Sequence, residues 1–162
     1  MDNLIAQPTD DSFMSEALRL AQKAFEKEEV PVGAIVVRDG RIIARAWNQV
    51  EMLKDATAHA EMLAITQAEA AVGDWRLNDC ELYVTKEPCP MCAGAIVHVR
   101  LRRVIFGCAD PRGGAAGTAL NLLQMPGLNH RCEIRSGVLA NECAALLQSF
   151  FQARRSEQVP DA

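Results

Sequence analysis

Apolar positions along the chain change period several times, and each change marks an element. Between residues 12 and 28, Phe13, Ala17, Leu20, Ala21 and Ala24 recur at helical spacing, with Ser12 as the capping residue. Residues 32–37 form a branched apolar run, residues 41–47 form a second, and Asp39-Gly40 lies between them. Asp-Gly joining two such runs predicts a tight hairpin, because both residues accept the positive φ of a two-residue turn. Residues 58–71 return to helical register, with Ala, Met, Leu and Ile on the repeating positions. Next come a predicted strand over 81–85, a small-residue helix over 89–98 and a buried strand over 104–106. A Gly-rich loop over 113–117, a fifth strand over 132–135 and a long helix over 139–155 complete the pattern. From the third strand onward strands alternate with helices. That order predicts an α/β fold, a three-layer α/β/α sandwich around a five-stranded mixed sheet.

Length adds one constraint: 162 residues make one domain, expected over 12–156 between a disordered tail at 1–11 and a frayed end at 157–162. A 49% hydrophobic share fills a core and excludes intrinsic disorder. No apolar run reaches the roughly 20 residues of a membrane span. The polar, acidic start carries no basic-then-apolar leader, so the expectation is a cytoplasmic protein without membrane association.

Charge changes the picture more. The net of −4 argues against a nucleic-acid partner, but residues 1–81 hold 8 basic and 15 acidic side chains while residues 82–162 hold 9 and 6. Such asymmetry places a basic face on an acidic protein, and polyanions meet the local face. Scatter alone also produces a split of this size.

The six cysteines, with no export signal, are expected to stay reduced, so a close pair among them reads as metal-binding or redox-active. The pair is Cys89-Pro90-Met91-Cys92, and His59-Ala60-Glu61 stands 30 residues before Cys89. One imidazole and two thiolates make a zinc donor set, with both cysteines presented from one helical turn. A fourth position left to water marks a catalytic ion, whose bound water ionises near neutral pH. Glu61, two residues from a ligand, is placed to move protons between that water, a ring nitrogen and departing ammonia. These parts suit hydrolytic deamination of an amino-substituted heterocycle. Two other uses of the cysteines stand beside this one. A redox dithiol leaves His59 and Glu61 unexplained; a structural zinc needs a fourth ligand from Cys80, Cys108 or Cys132, and no second C-x-x-C exists.

The H-x-E unit with P-C-x-x-C is the signature of zinc nucleobase deaminases. Further blocks carry a narrower resemblance: Glu29-Val30-Pro31-Val32-Gly33-Ala34, Trp47-Asn48, Thr57-Ala58-His59-Ala60-Glu61 and Glu87-Pro88-Cys89. Met91-Cys92-Ala93-Gly94-Ala95, Gly114-Ala115-Ala116-Gly117, Asn129-His130-Arg131, Phe150-Phe151 and Arg154-Arg155 extend it. Over about residues 13–155 the chain resembles the bacterial tRNA adenosine deaminases, a cytidine-deaminase-like family. The resemblance implies conversion of the wobble adenosine (position 34) of a tRNA, an arginine tRNA, to inosine by a homodimer with one zinc ion per subunit. In that reaction zinc-bound hydroxide attacks purine C6 and ammonia leaves. His59, Cys89 and Cys92 correspond to the zinc ligands and Glu61 to the proton shuttle. Asn48, Ala60, Asp110, Asn129, Phe151 and Arg154 correspond to substrate or anticodon-loop contacts, with Asp110 meeting a sugar beside the flipped base. Structural uses exist for several: a strand-end turn for Asn48, an Asp-Pro turn for Asp110, a basic helix end for Arg154 and Arg155. Three places depart from the family pattern: Lys86 where an apolar residue is expected, Met125, and Arg112-Gly113 after Asp110.

Three functional readings follow. The first is the RNA-editing deaminase, whose partner is a tRNA anticodon stem-loop. The second is a deaminase of a free base or nucleoside, of guanine or cytosine type, on the same scaffold. The third is a zinc-stabilised binding subunit without catalysis, against which Glu61 stands.

Overall fold

The computed structural model describes residues 6–157. The expectations for residues 1–5 and 158–162 lie outside the described residues. The chain opens with α1 (Asp10–Glu26), whose buried face is Phe13, Met14, Ala17, Leu20, Ala21 and Ala24. Its cap is Thr9 and not Ser12: the Ser12 N–H donates to Thr9 Oγ1 at 3.2 Å and the Thr9 N–H donates to Ser12 Oγ at 2.9 Å. Both residues are cap formers. The earlier start wins because it sets Asp10 and Asp11, left in the tail by the sequence reading, against the positive end of the helix dipole.

Strands β1 (Gly33–Arg38) and β2 (Arg41–Trp47) form the predicted hairpin, with Asp39 at φ 52° and Gly40 at φ 73°. A four-residue helix α2 (Val50–Leu53), too short to leave a periodic signal, precedes α3 (Ala60–Val72). Then come β3 (Cys80–Lys86), α4 (Pro90–Val99), β4 (Arg103–Cys108), β5 (Glu133–Arg135) and α5 (Ala140–Glu157).

The sheet order is β2-β1-β3-β4-β5, with β1 antiparallel to both neighbours and β3, β4 and β5 parallel. Helices α1 and α3 both pack on β1 without touching each other, so they cover opposite faces; α5 joins α1, and α4 joins α3. The three-layer expectation holds. Packing between α1 and β1 is close: a Cβ on Gly33 would lie 2.0 Å from the Ala17 carbonyl oxygen. Tyr83, almost wholly buried, donates its hydroxyl to Asp10 at 2.6 Å, and Asp10 also accepts from Arg103 at 2.7 Å and from Arg135. Residue 10 therefore fastens the first helix to the ends of β4 and β5. No helix among the described residues is long and apolar enough to cross a membrane.

Candidate active site

Two helix starts meet at one point. His59 is the N-cap of α3, Cys89 the N-cap of α4, and Cys92 lies one turn into α4 behind Pro90 at its first position. Pro90 fits there because its missing N–H would have had no helical partner. His59 Nδ1 is 3.6 Å from Cys89 Sγ and 3.5 Å from Cys92 Sγ, and the three donor atoms all lie within 4.8 Å of one another. Zinc bonds of about 2.3 Å to sulfur and 2.0–2.1 Å to nitrogen, opened to a tetrahedral angle, put N and S about 3.5 Å apart. The cluster fits such an ion. Cys80, Cys108 and Cys132 are not part of it, so the structural-zinc expectation finds no fourth protein ligand among the described residues.

Electrostatics match. The Cys92 thiol, then the His59 ring, hold Cys89 down to about 4, the thiolate side of neutrality. Cys89 in turn pushes the His59 ring upward. Glu61, on the first turn of α3, is 4% exposed, and burial raises its carboxyl above the ordinary range.

A cavity of about 710 Å³ opens from this cluster. Asn48, Ala60, Glu61, Asp110, Phe151 and Arg154 all line it, and Lys86 lines it too. Asn129 does not: it is exposed on a turn outside the cavity. Asn48 is buried at the end of β2, where its N–H donates to the Val32 carbonyl at 3.1 Å. The Arg154 guanidinium donates to the Glu28 carbonyl and lies 4.8 Å over the Phe150 ring, so α5 closes over the loop after α1. Of the adjacent pair Phe150 is core and Phe151 is 44% exposed.

Asp110 is held by its loop. Its N–H donates to Glu87 at 3.1 Å, and its Oδ1 accepts from the N–H groups of Arg112 at 3.0 Å and Gly113 at 3.2 Å. Burial pushes its carboxyl up but is outweighed by those N–H groups and by the Lys86 ammonium, so the net shift is downward.

Two carboxylates that stand in the sequence blocks without a role of their own are buried and hydrogen-bonded. Glu87, 2% exposed, accepts from Asp110, Ala116 and Thr118 and ties the 110–118 loop to the segment before Cys89. Glu29, also 2% exposed, accepts from the N–H groups of Glu51 at 3.1 Å and Met52 at 2.7 Å, capping α2 from 22 positions away. The signal was an acidic residue set against proline and apolar neighbours, as in Glu29-Val30-Pro31 and Glu87-Pro88. A buried carboxylate must be hydrogen-bonded, and here the partners are distant backbone that no local pattern reveals.

A family model described as MafB19-like deaminase matches residues 9–155. The tRNA-specific adenosine deaminase of Bacillus subtilis (strain 168) is 52% identical over 149 residues, 92% of each chain. The chain belongs to the tRNA adenosine deaminase family. Its Haemophilus influenzae relative of the same description is 45% identical over 92% of this chain and 87% of its own. A solved structure from studies of A-to-I editing by tRNA:A34 deaminases at the wobble position superposes with a TM-score of 0.80 at 45% identity. It covers 83% of this chain and 97% of that one. The guanine deaminase of Bacillus subtilis superposes with a TM-score of 0.62 at 30% identity, covering 96% and 99%. The scaffold this deaminase family member uses is thus shared with a relative named for a free base.

Proposed function

We propose that this protein is a cytoplasmic homodimer that converts the wobble adenosine at position 34 of a tRNA, an arginine tRNA, to inosine. One observation carries the reading: a buried Glu61 stands beside the His59–Cys89–Cys92 cluster, in a cavity rimmed by Arg154, Arg155 and Lys86. The family membership and the wobble-editing relatives support the same substrate.

His59, Cys89 and Cys92 would hold one zinc ion, which when bound supplies the Lewis acidity that makes water nucleophilic at neutral pH. Glu61 accepts a proton as water adds at purine C6 and delivers protons to the ring nitrogen and the leaving amine. Overall, adenosine and water give inosine and ammonia. A carboxylate raised by burial suits a group that must both take and return a proton. The base is drawn out of its stack into the cavity, over Ala60 and beside Asn48. Asp110 accepts from a ribose 2′-hydroxyl, which separates RNA from DNA. Phe151 offers an exposed ring for stacking and Arg154 a cation for the backbone. Asn129, outside the cavity, acts only on RNA that extends beyond it.

A second reading, deamination of a free base such as guanine, draws on the likeness to the guanine deaminase. One assay separates the two. Zinc-loaded protein is given an arginine tRNA with adenosine at the wobble position, the same tRNA with guanosine there, free guanine, and cytidine; Glu61→Ala is the blank. Inosine from the first substrate alone is the expected product by mass spectrometry. Turnover of guanine or cytidine alone moves the function to the second reading and leaves the chemistry of Glu61 in place.

A further inference from the structure

Lys86 is the last residue of β3 and pairs in register with Cys108 on β4, which brings it beside Asp110. Its Nζ lies 3.3 Å from Asp110 Oδ2, and the two side chains are 33% and 24% exposed. Both line the cavity that reaches Glu61. Asp110 Oδ1 is already used inside its own loop, which leaves Oδ2 as the oxygen without a backbone donor, and Lys86 stands against it.

Charge makes this lysine conspicuous. Six carboxylates line the cavity against three cations, Lys86, Arg154 and Arg155. The two arginines belong to α5, and Arg154 is bound to the Glu28 carbonyl. On the wall that carries Asp110, Lys86 is the cation that lines the cavity among the described residues. Glu87, which accepts from the Asp110 N–H, and Asp110 itself are both carboxylates.

The pair presents an acceptor and a cation side by side. A ribonucleotide presents the complement: a 2′-hydroxyl donor and a phosphate anion on adjacent carbons of one ring. We propose that Lys86 is a specificity-determining residue that binds the phosphate next to the ribose read by Asp110. RNA recognition on this wall then belongs to the Asp110–Lys86 pair and not to Asp110 alone. Without the ammonium, Asp110 would face the phosphate as an uncompensated like charge. The inference rests on the RNA-editing reading and names a further contact within it.

The test uses zinc-loaded protein and anticodon stem-loops carrying one neutral methylphosphonate at each linkage flanking the target adenosine. For Lys86→Met the KM for the unmodified stem-loop rises about tenfold, as for one lost charge-assisted contact, while kcat stays within about twofold. The slope of log kcat/KM against log salt becomes shallower by about 0.7, one phosphate on a single strand. One methylphosphonate position weakens the wild type by a similar factor and leaves Lys86→Met unaffected. Lys86→Arg restores KM, and Asp110→Asn keeps the methylphosphonate sensitivity while losing discrimination against a 2′-deoxy sugar. Thermal melts check that each variant is folded. An unchanged KM and salt slope in folded Lys86→Met, or methylphosphonate losses that simply add to it, would overturn the inference while editing stands. A wild type that leaves every stem-loop unconverted but deaminates guanine overturns the editing reading, and this one with it.

Discussion

Glu61 and its three neighbours concentrate opposed demands in a few ångströms. A metal would need both cysteines as thiolates: beside Cys92 and the imidazole, Cys89 is already held low, while the Cys89 thiolate, burial and Glu61 hold the Cys92 thiol up until an ion displaces its proton. In the proposed reaction Glu61 is protonated and deprotonated within one cycle, and burial raises its carboxyl in the direction that role asks for. Replacing its carboxyl with an amide keeps the shape and removes the base. Glu61→Gln is therefore expected to lose about 10²- to 10⁴-fold in kcat, the usual worth of a positioned acid–base, while elemental analysis still finds one zinc per chain. Cys89→Ala gives the opposite split: the same analysis should find zinc lost, because two remaining donors do not make a site.

At the scale of elements, the first helix is fixed by a charge cluster at its start. Arg103 hydrogen-bonds Asp10 most strongly, with Tyr83 and Arg135 adding to it, and together they hold the Asp10 carboxyl well below the ordinary range. Because the folded form binds its proton later than the unfolded form, this contribution is complete above about pH 4. It fades as pH falls from there toward the folded value. Asp10→Asn should lower unfolding free energy by about 2 kcal/mol in urea titrations at pH 7. The gap from wild type should narrow by pH 3; a gap that stays constant would mean that the ion pairs contribute nothing. Gly33→Ala is the steric counterpart. Its methyl would collide with the Ala17 carbonyl, so α1 must lift from β1, at about 1–3 kcal/mol read by thermal melting.

These same elements show what the sequence could reveal. The hairpin was legible because Asp-Gly encodes a turn locally, and α1 because its apolar face repeats over several turns. The candidate metal cluster was legible because its three residues fall in two short motifs. The start of α1 was not, since Thr9 and Ser12 are both cap formers and the earlier start gains, besides the dipole, the bonds of Asp10 to Arg103 and Arg135, far along the chain. Arg103 is three-quarters buried in the fold for the same reason. Glu29 and Glu87 take their meaning from backbone 22 to 31 positions away. Asn129 was placed at the site by motif alone, and its loop turns elsewhere.

Across the whole molecule, the proposed reading has an acidic protein of net charge −4 meet a polyanion through the three cations that line its cavity. All three engaging single-stranded phosphates predict a log–log salt slope of about −2 for stem-loop binding. Fluorescence anisotropy across a salt series checks it, and a flat dependence would remove the cavity rim as the RNA contact.

The bond from Arg154 to the Glu28 carbonyl joins positions 126 apart, and it lies in the wall of the cavity. During synthesis the metal ligands and Glu61 emerge long before that wall can form. A nascent chain stopped short of α5 would lack the part of the cavity wall that Phe150, Phe151, Arg154 and Arg155 supply. On the proposed reading, editing competence therefore waits for α5 to dock against the loop after α1.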